Sequence, residues 1–140
     1  MKNKTIYKGV LYIADKDRLL NDLMEMKGSS GKLIDTPVLK YRIEYPLHNP
    51  VEVEEVQENG WSLGSICMSI ANQYRKIYNE EDETTEVPAG DMLDIGLLNR
   101  NQTNGRHGIW GHVIEDLCIE ILEITEQTPE YTRIKLYMGS

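Results

Sequence analysis

The sequence predicts one α+β domain with a mostly antiparallel sheet of about five strands and two or three helices. Short stretches rich in β-branched and aromatic residues occur near both ends of the chain, which is typical of strands. Residues 61–78 repeat apolar side chains at helical spacing. The length of 140 residues is that of one domain, so we assign residues 1–140 to a single unit.

The N-terminal third predicts a strand, a helix and a second strand. Residues 5–13 are β-branched and aromatic, and Asp15 is placed to cap a helix over 16–27. Residues 38–45 predict the next strand. The helix has a broad apolar stripe, formed by Leu19, Leu20, Leu23, Met24 and Met26.

A turn, a third strand and the clearest helix of the chain follow. Pro46 and Pro50 bracket a turn that contains His48, and residues 51–54 alternate Val and Glu like a half-buried strand. Glu58-Asn59-Gly60 is typical of a turn. The helix begins after Ser62, a suitable cap, and its apolar positions are Leu63, Ile66, Cys67, Ile70, Tyr74, Ile77 and Tyr78. The side chains of Tyr74 and Tyr78 share a face, which favours a place in the core or an interface over a ligand platform.

Residues 79–98 are predicted to form a long acidic connecting loop, with a solvated charge run over 79–83 and one helical turn over 91–95. Beyond it, residues 110–117 favour a short helix, and a longer helix over 110–124 fits the same apolar spacing.

Two stretches near the C-terminus predict a β-hairpin. Residues 119–124 and 131–138 are the two predicted strands, and Thr128-Pro129-Glu130 lies near the turn between them.

Charge is unevenly distributed along the chain. The net charge is −8, and residues 1–42 carry nine Lys and Arg against five Asp and Glu, whereas residues 43–140 carry six against eighteen. This acidity argues against broad nucleic-acid binding, which requires a basic face. The asymmetry leaves open a protein-interaction module acting as a homo-oligomer, in which the basic segment of one copy meets the acidic segment of another.

The cysteines and the N-terminus predict a cytoplasmic protein. Cys67 and Cys118 lie among apolar residues and form no CxxC pair, so we expect buried free thiols. No signal peptide and no apolar run long enough to cross a membrane is evident.

Residues 99–116 combine two Arg, two His, one Trp, three Gly and a carboxylate pair. Backbone N–H groups of a glycine-rich loop that leads into a helix can face an anion, and guanidinium groups suit phosphate. The spacing matches neither a dinucleotide fingerprint nor a phosphate-binding P-loop. The predicted ligand-binding residues are Asn99, Arg100, Asn104, Arg106, His107, Gly108, Trp110, Gly111 and His112. In this hypothesis the arginines contact phosphate and Trp110 stacks on a ring.

An enzymatic alternative rests on the same segment. His112, Glu115 and Asp116 are spaced i, i+3 and i+4, which would place a base beside carboxylates for a hydrolase or lyase reaction. The spacing of His107, His112 and Asp116 matches no familiar zinc pattern, so we predict no metal and no cofactor.

The leading hypothesis is a non-enzymatic protein that binds a small anionic molecule, such as a nucleotide, and sequesters it in the cytoplasm. Residues 61–78 and 108–117 resemble, in general character, short accessory proteins of phages and large DNA viruses, a likeness that identifies no family.

Overall fold

The computed structural model describes residues 3–86 and 102–140 and confirms the α+β class. The elements are β1 (Lys4–Tyr12), α1 (Lys16–Glu25), β2 (Lys32–Ile34), β3 (Val38–Ile43), β4 (Val51–Val56), β5 (Trp61–Ser62), α2 (Leu63–Thr84), a short 3₁₀ helix (Ile114–Asp116), β6 (Cys118–Gln127) and β7 (Tyr131–Gly139). The predicted terminal hairpin is the β6–β7 pair.

Five strands form the main sheet in the order β1-β6-β7-β3-β4. All neighbours are antiparallel except β3 and β7, which run parallel and pair Val38–Lys40 with Tyr131–Arg133. The two short strands β2 and β5, which the sequence did not predict, form a separate antiparallel pair. The sheet is therefore mixed, and its central strand β7 is the last along the chain.

The core lies between α2 and one face of the main sheet. Alternate residues of β3 point inward, and Leu39, Tyr41 and Ile43 are fully buried. The Tyr41 hydroxyl hydrogen-bonds the Ser69 hydroxyl of α2 at 2.7 Å, which satisfies both polar groups inside the core. Tyrosine thus provides core volume in a chain without Phe, as long as its hydroxyl finds a partner.

The opposite face of the sheet, here called the outer face, carries charged and aromatic side chains in cross-strand pairs. Lys40 pairs with Glu54 at 3.4 Å and stands 4.2 Å from the centre of the Tyr131 ring. The Tyr137 hydroxyl donates to Glu123 at 2.7 Å. Such exposed pairs stabilise a sheet only slightly.

Helix α1 differs from its prediction in length and in the width of its buried stripe. Asp15 caps it as expected, by accepting from the N–H groups of Asp17 and Arg18, but the helix ends at Glu25. Only Leu19 and Leu23 are buried, and Met24 is 79% exposed. Because α1 contacts α2 and β1 at the edge of the core, a narrow apolar stripe is sufficient.

Helix α2 is longer than predicted, and the acidic run 79–83 belongs to its last turns. The prediction of a solvated loop beginning at residue 79 is therefore wrong. Ser62 caps the helix and forms a reciprocal capping box with Ser65. Glu81 is fully buried because it continues the buried face of Tyr74, Ile77 and Tyr78. The predicted turn over 91–95 lies outside the described residues.

Neither helix predicted to begin at residue 110 forms. Trp110 lies in an isolated β-bridge with Gln102, Gly111 has a φ of +69°, and the only helical turn there is the 3₁₀ helix. The left-handed backbone at Gly111 explains the error, since a right-handed helix cannot pass through it.

Both cysteines are buried free thiols, as predicted. Burial raises the pKa of Cys67 to about 12 and also raises the pKa of Cys118, so neither thiol is a ready nucleophile. Among residues 3–86 and 102–140, no helix is both long and apolar enough to cross a membrane.

The Tyr41–Ser69 bond gives a first prediction. Tyr41→Phe leaves the Ser69 hydroxyl buried without this partner and should lower the free energy of unfolding by about 1–2 kcal/mol, measured by urea denaturation. The matched control is Tyr137→Phe, which removes a hydroxyl from an exposed pair and should leave the stability unchanged. Equal losses in the two variants would contradict this view of the core.

Candidate functional site

The C-terminal end of α2 lies inside the glycine-rich segment, defined as residues 102–111. The carboxylate of Glu81 accepts hydrogen bonds from the N–H groups of His107 at 2.7 Å, Gly105 at 2.9 Å and Gly108 at 3.1 Å. The Thr103 hydroxyl donates to the same carboxylate. The backbone donors that were expected to face an external phosphate are therefore directed at an anion of the protein itself.

The surroundings of Glu81 determine its charge state. Burial acts to raise the pKa of this carboxyl, and the hydrogen bonds from Thr103, His107, Gly105 and Gly108 outweigh that effect. The net result is a pKa below the ordinary value of 4.5. Glu81 is thus a buried carboxylate whose ionised form is stabilised by hydrogen bonds from the glycine-rich segment.

Other residues predicted to bind the ligand also contact the end of α2. Arg106 donates to Glu80 at 2.8 Å, and the buried His107 has its Nε2 atom 3.2 Å from the same carboxylate. The side-chain oxygen of Asn104 accepts from the Thr85 hydroxyl and from the N–H group of Glu86, both at 2.8 Å. These side chains join the segment to the helix.

Two glycines of the segment permit this close approach. A Cβ on Gly105 would collide with the side chains of Thr84 and Glu81. Gly108 has a φ of +63°, and its backbone lies against the side chain of His48. Of the other predicted ligand residues, Asn99 and Arg100 lie outside the described residues.

The other side of the segment pairs with the turn at residues 44–49. The N–H group of Trp110 donates to the Pro46 carbonyl at 2.9 Å, and that of His48 donates to the Gly108 carbonyl at 2.7 Å. The N–H group of Asn49 donates to the His107 carbonyl at 3.0 Å. These bonds place Trp110 beside the proline turn.

A cleft of about 290 Å³, here called the Trp110 cleft, lies between the segment and the turn. Its lining residues are Glu44, Tyr45, Pro46, Leu47, His48, Gln102 and Trp110. Trp110 is 59% exposed, although tryptophan is among the more buried residues in folded proteins. An exposed aromatic ring in a cleft with a few polar groups is typical of a small-molecule site.

His112 stands between Tyr45 and Asp116. Its Nε2 atom is 2.8 Å from the Tyr45 hydroxyl, and its Nδ1 atom is 3.6 Å from the Asp116 carboxylate. The Tyr45 hydroxyl also hydrogen-bonds the Ser140 hydroxyl at 2.9 Å. The three side chains of Tyr45, His112 and Asp116 are here called the His112 relay, because they place a phenol, an imidazole and a carboxylate next to one another.

Helix α2 holds the backbone on both sides of the relay. Tyr74 donates its hydroxyl to the Tyr45 carbonyl at 2.5 Å, and Tyr78 donates to the His112 carbonyl at 2.8 Å. Both tyrosines are buried, which confirms their predicted place in the core. Burial raises the pKa of each phenol, so both remain protonated donors.

The relay also borders a second cavity of about 470 Å³, and the lining residues of this cavity are Tyr12, His112, Glu115, Asp116 and Ser140. Tyr45 lines the Trp110 cleft and contacts His112 and Ser140 of this cavity. The phenol of Tyr45 is therefore the link between the two cavities.

The predicted site residues thus separate into two groups. Trp110 and His112 come together, with their ring centres 6.3 Å apart, while Asn104, Arg106, His107 and Gly108 contact α2 or the turn. Sequence reasoning missed Tyr45 and Glu81. The apolar period of α2 predicts a buried position at residue 81, which was the available signal for Glu81.

No group of three or more His, Cys, Asp or Glu side chains is arranged to hold a metal ion within residues 3–86 and 102–140. Comparisons of the chain with protein-family models, curated proteins and solved structures found no match.

The burial of Glu81 gives a second prediction. Glu81→Gln replaces a charged acceptor by an amide and should lower the free energy of unfolding at pH 7 by about 3 kcal/mol, measured by denaturant unfolding. The folded-state pKa of Glu81 lies below the ordinary 4.5. The stabilisation that its charge provides is therefore complete at pH values above 4.5, and it is lost as the pH falls through the folded-state pKa. The stability difference between wild type and variant should therefore shrink in that acidic range.

The control for this prediction is Glu83→Gln, an identical change at an exposed position of the same helix. It should leave the stability at pH 7 nearly unchanged. A pH-independent difference between wild type and Glu81→Gln would show that the charge of Glu81 does not stabilise the segment.

Proposed function

We propose that the protein binds a small ligand with a planar ring, of nucleoside or nucleotide size, and does so without turning it over. The observation that carries the proposal is the exposed indole of Trp110 in a cleft of about 290 Å³. A planar ring that packs against this indole would remove apolar surface of both rings from water and would add favourable stacking. The backbone bonds of Trp110 and His48 fix the cleft before any ligand arrives.

The polar lining of the cleft favours a heteroaromatic ring over a purely apolar one. His48 and Gln102 offer a ring nitrogen and an amide, and Glu44 offers a carboxylate that accepts from amino groups. These groups suit the donor and acceptor edge of a nucleobase. A phosphate on the loop N–H groups finds no support, since the N–H groups of Gly105, His107 and Gly108 donate to Glu81.

Three further hypotheses stay predictions: sequestration of the ligand, a cytoplasmic location and homo-oligomer formation through the basic and acidic parts of the chain. Gel filtration at low and high salt tests the last of these, because association between such surfaces weakens with salt.

The cleft gives a third prediction. Trp110→Ala should weaken the binding of a nucleoside such as adenosine or guanosine by about ten- to a hundredfold, the usual loss when an aromatic partner of a base is removed. Isothermal titration calorimetry of wild type and variant measures this change.

Met24→Ala is the matched control, because it truncates another large exposed side chain far along the sequence from the cleft. Both variants should keep the wild-type melting temperature to within a few degrees. If none of the common nucleosides or nucleotides binds to wild type, or if Trp110→Ala binds them as tightly, the proposal is wrong.

A second candidate function is acid–base catalysis by the His112 relay. The observation that favours it is the position of His112, 2.8 Å from the Tyr45 hydroxyl and 3.6 Å from the Asp116 carboxylate. One ring nitrogen of His112 lies beside a carboxylate and the other is within hydrogen-bond distance of a phenol, an arrangement of groups that general acid–base catalysis uses. A hydrolase or lyase would use His112 on a molecule bound in the second cavity, which His112 and Asp116 line.

This candidate gives a fourth prediction. If the bound molecule is hydrolysed or eliminated, His112→Ala should lower the turnover rate by about a hundredfold or more, and Asp116→Asn should also lower it. Glu115→Gln should leave turnover unchanged, since Asp116 is the carboxylate that pairs with His112. Chromatography of ligand incubated with each variant gives the rates. Unchanged turnover in His112→Ala would exclude the relay.

A further inference from the structure

Three polar side chains of different chemistry surround the exposed indole of Trp110. Gln102 lies directly opposite Trp110 in an antiparallel β-bridge, and side chains that face each other in such a pair stand on the same side of it. The amide of Gln102 is therefore a neighbour of the indole. Glu44 and His48 line the Trp110 cleft from the turn at residues 44–49.

The backbone of Gly108 brings Gln102 and His48 close to each other. A Cβ placed on Gly108 would lie 3.7 Å from the amide nitrogen of Gln102 and 2.9 Å from the Cβ of His48. An amide and an imidazole can each donate a hydrogen bond. The cleft thus has N–H donors beside Gly108, and Glu44 adds two acceptor oxygens to its lining.

Glu44 differs from the other polar groups of the cleft, because a carboxylate only accepts hydrogen bonds. Its side chain is 68% exposed and stands 3.6 Å from Arg42. Arg42 is also 3.8 Å from Glu52, so one guanidinium is shared between two carboxylates. Both pairs are longer than hydrogen bonds and are exposed, so they contribute little energy and leave the oxygens of Glu44 accessible to a donor on a ligand.

We propose that the Trp110 cleft selects guanine among the common nucleobases and that Glu44 is the specificity-determining residue, an inference that rests on the proposed function. Guanine has adjacent N–H groups at N1 and N2, which can donate to the two oxygens of one carboxylate. Its O6 atom accepts, which suits the donors of Gln102 and His48. Guanine is uncharged, so its recognition requires acceptors at one edge and no excess of negative charge.

The other bases oppose the carboxylate with an acceptor. Adenine and cytosine each have a ring nitrogen with a lone pair beside their amino group, and uracil and thymine have a carbonyl on each side of their one N–H group. An acceptor that faces the Glu44 carboxylate leaves both groups without a proton between them, which is unfavourable. Because Glu44 is exposed to water, the expected discrimination is about tenfold, below that of a fully buried polar site.

The test is calorimetric titration of wild type with guanosine, inosine and adenosine. Wild type should bind guanosine about tenfold more tightly than adenosine, the usual effect of one hydrogen bond to a charged group. Inosine keeps the N1–H group and O6 of guanosine and lacks the amino group, so its affinity should lie between the other two.

Glu44→Gln replaces one acceptor oxygen by an N–H donor. It should weaken guanosine binding about tenfold, because one of the two N–H groups of the base loses its acceptor. The affinity for adenosine should stay the same or rise, since an amide can donate to a ring nitrogen and accept from the adjacent amino group. The preference for guanosine should therefore disappear.

Glu52→Gln is the matched control. Glu52 also stands beside Arg42 and its side chain is 64% exposed, but it is not among the lining residues of the cleft. This variant removes the same charge and should keep the wild-type preference for guanosine. Thermal unfolding of both variants confirms that they are folded.

The outcomes separate this inference from the proposed function. If none of the three nucleosides binds to wild type, both are wrong. If the nucleosides bind and Trp110→Ala weakens them, but guanosine and adenosine bind equally, the proposed function stands and the guanine selectivity is wrong. A preference that persists in Glu44→Gln, or that is lost equally in Glu52→Gln, would show that Glu44 does not contact the edge of the base.

Discussion

A carboxylate removed from water is costly unless several donors surround it, and Glu81 meets this condition with bonds from Thr103, Gly105, His107 and Gly108. The arrangement of the glycine-rich segment follows from this single group. With its N–H groups directed inward at Glu81, the opposite side of the segment pairs with the proline turn and presents Trp110. The candidate ligand site therefore depends on a buried charge that does not line the Trp110 cleft.

One side of α2 organises the whole region, because Tyr74, Tyr78 and Glu81 are four and three residues apart and point the same way. Each reaches a different part of the chain. Tyr74 binds the carbonyl of Tyr45, Tyr78 binds that of His112, and Glu81 holds the glycine-rich segment. A regular helix thus sets the relative positions of three irregular segments, which is how a loop-built site becomes rigid.

The fold class, the capped helices and the terminal hairpin could be predicted because periodicity and capping are local signals. The end of α2 was harder to predict. The acidic run 79–83 has the composition of a solvated loop, and Glu81 is buried because a segment distant in sequence covers it. The candidate ligand site was also only partly predictable, because it too depends on contacts between distant parts of the sequence. Trp110 and His112 were recognised by residue type, whereas Tyr45 joins them only through a contact across 67 residues of sequence. The direction of the loop N–H groups was likewise decided by tertiary structure.

The place of β7 in the sheet has a consequence for how the chain assembles. This strand joins the β1–β6 side to the β3–β4 side, yet it follows every other described strand in sequence. During synthesis from the N-terminus, the β3–β4 hairpin can form early, but it has no neighbour to extend it until β7 has left the ribosome. Sheet closure is therefore a late, long-range event, and the edge of β3 that receives β7 stays unpaired until then.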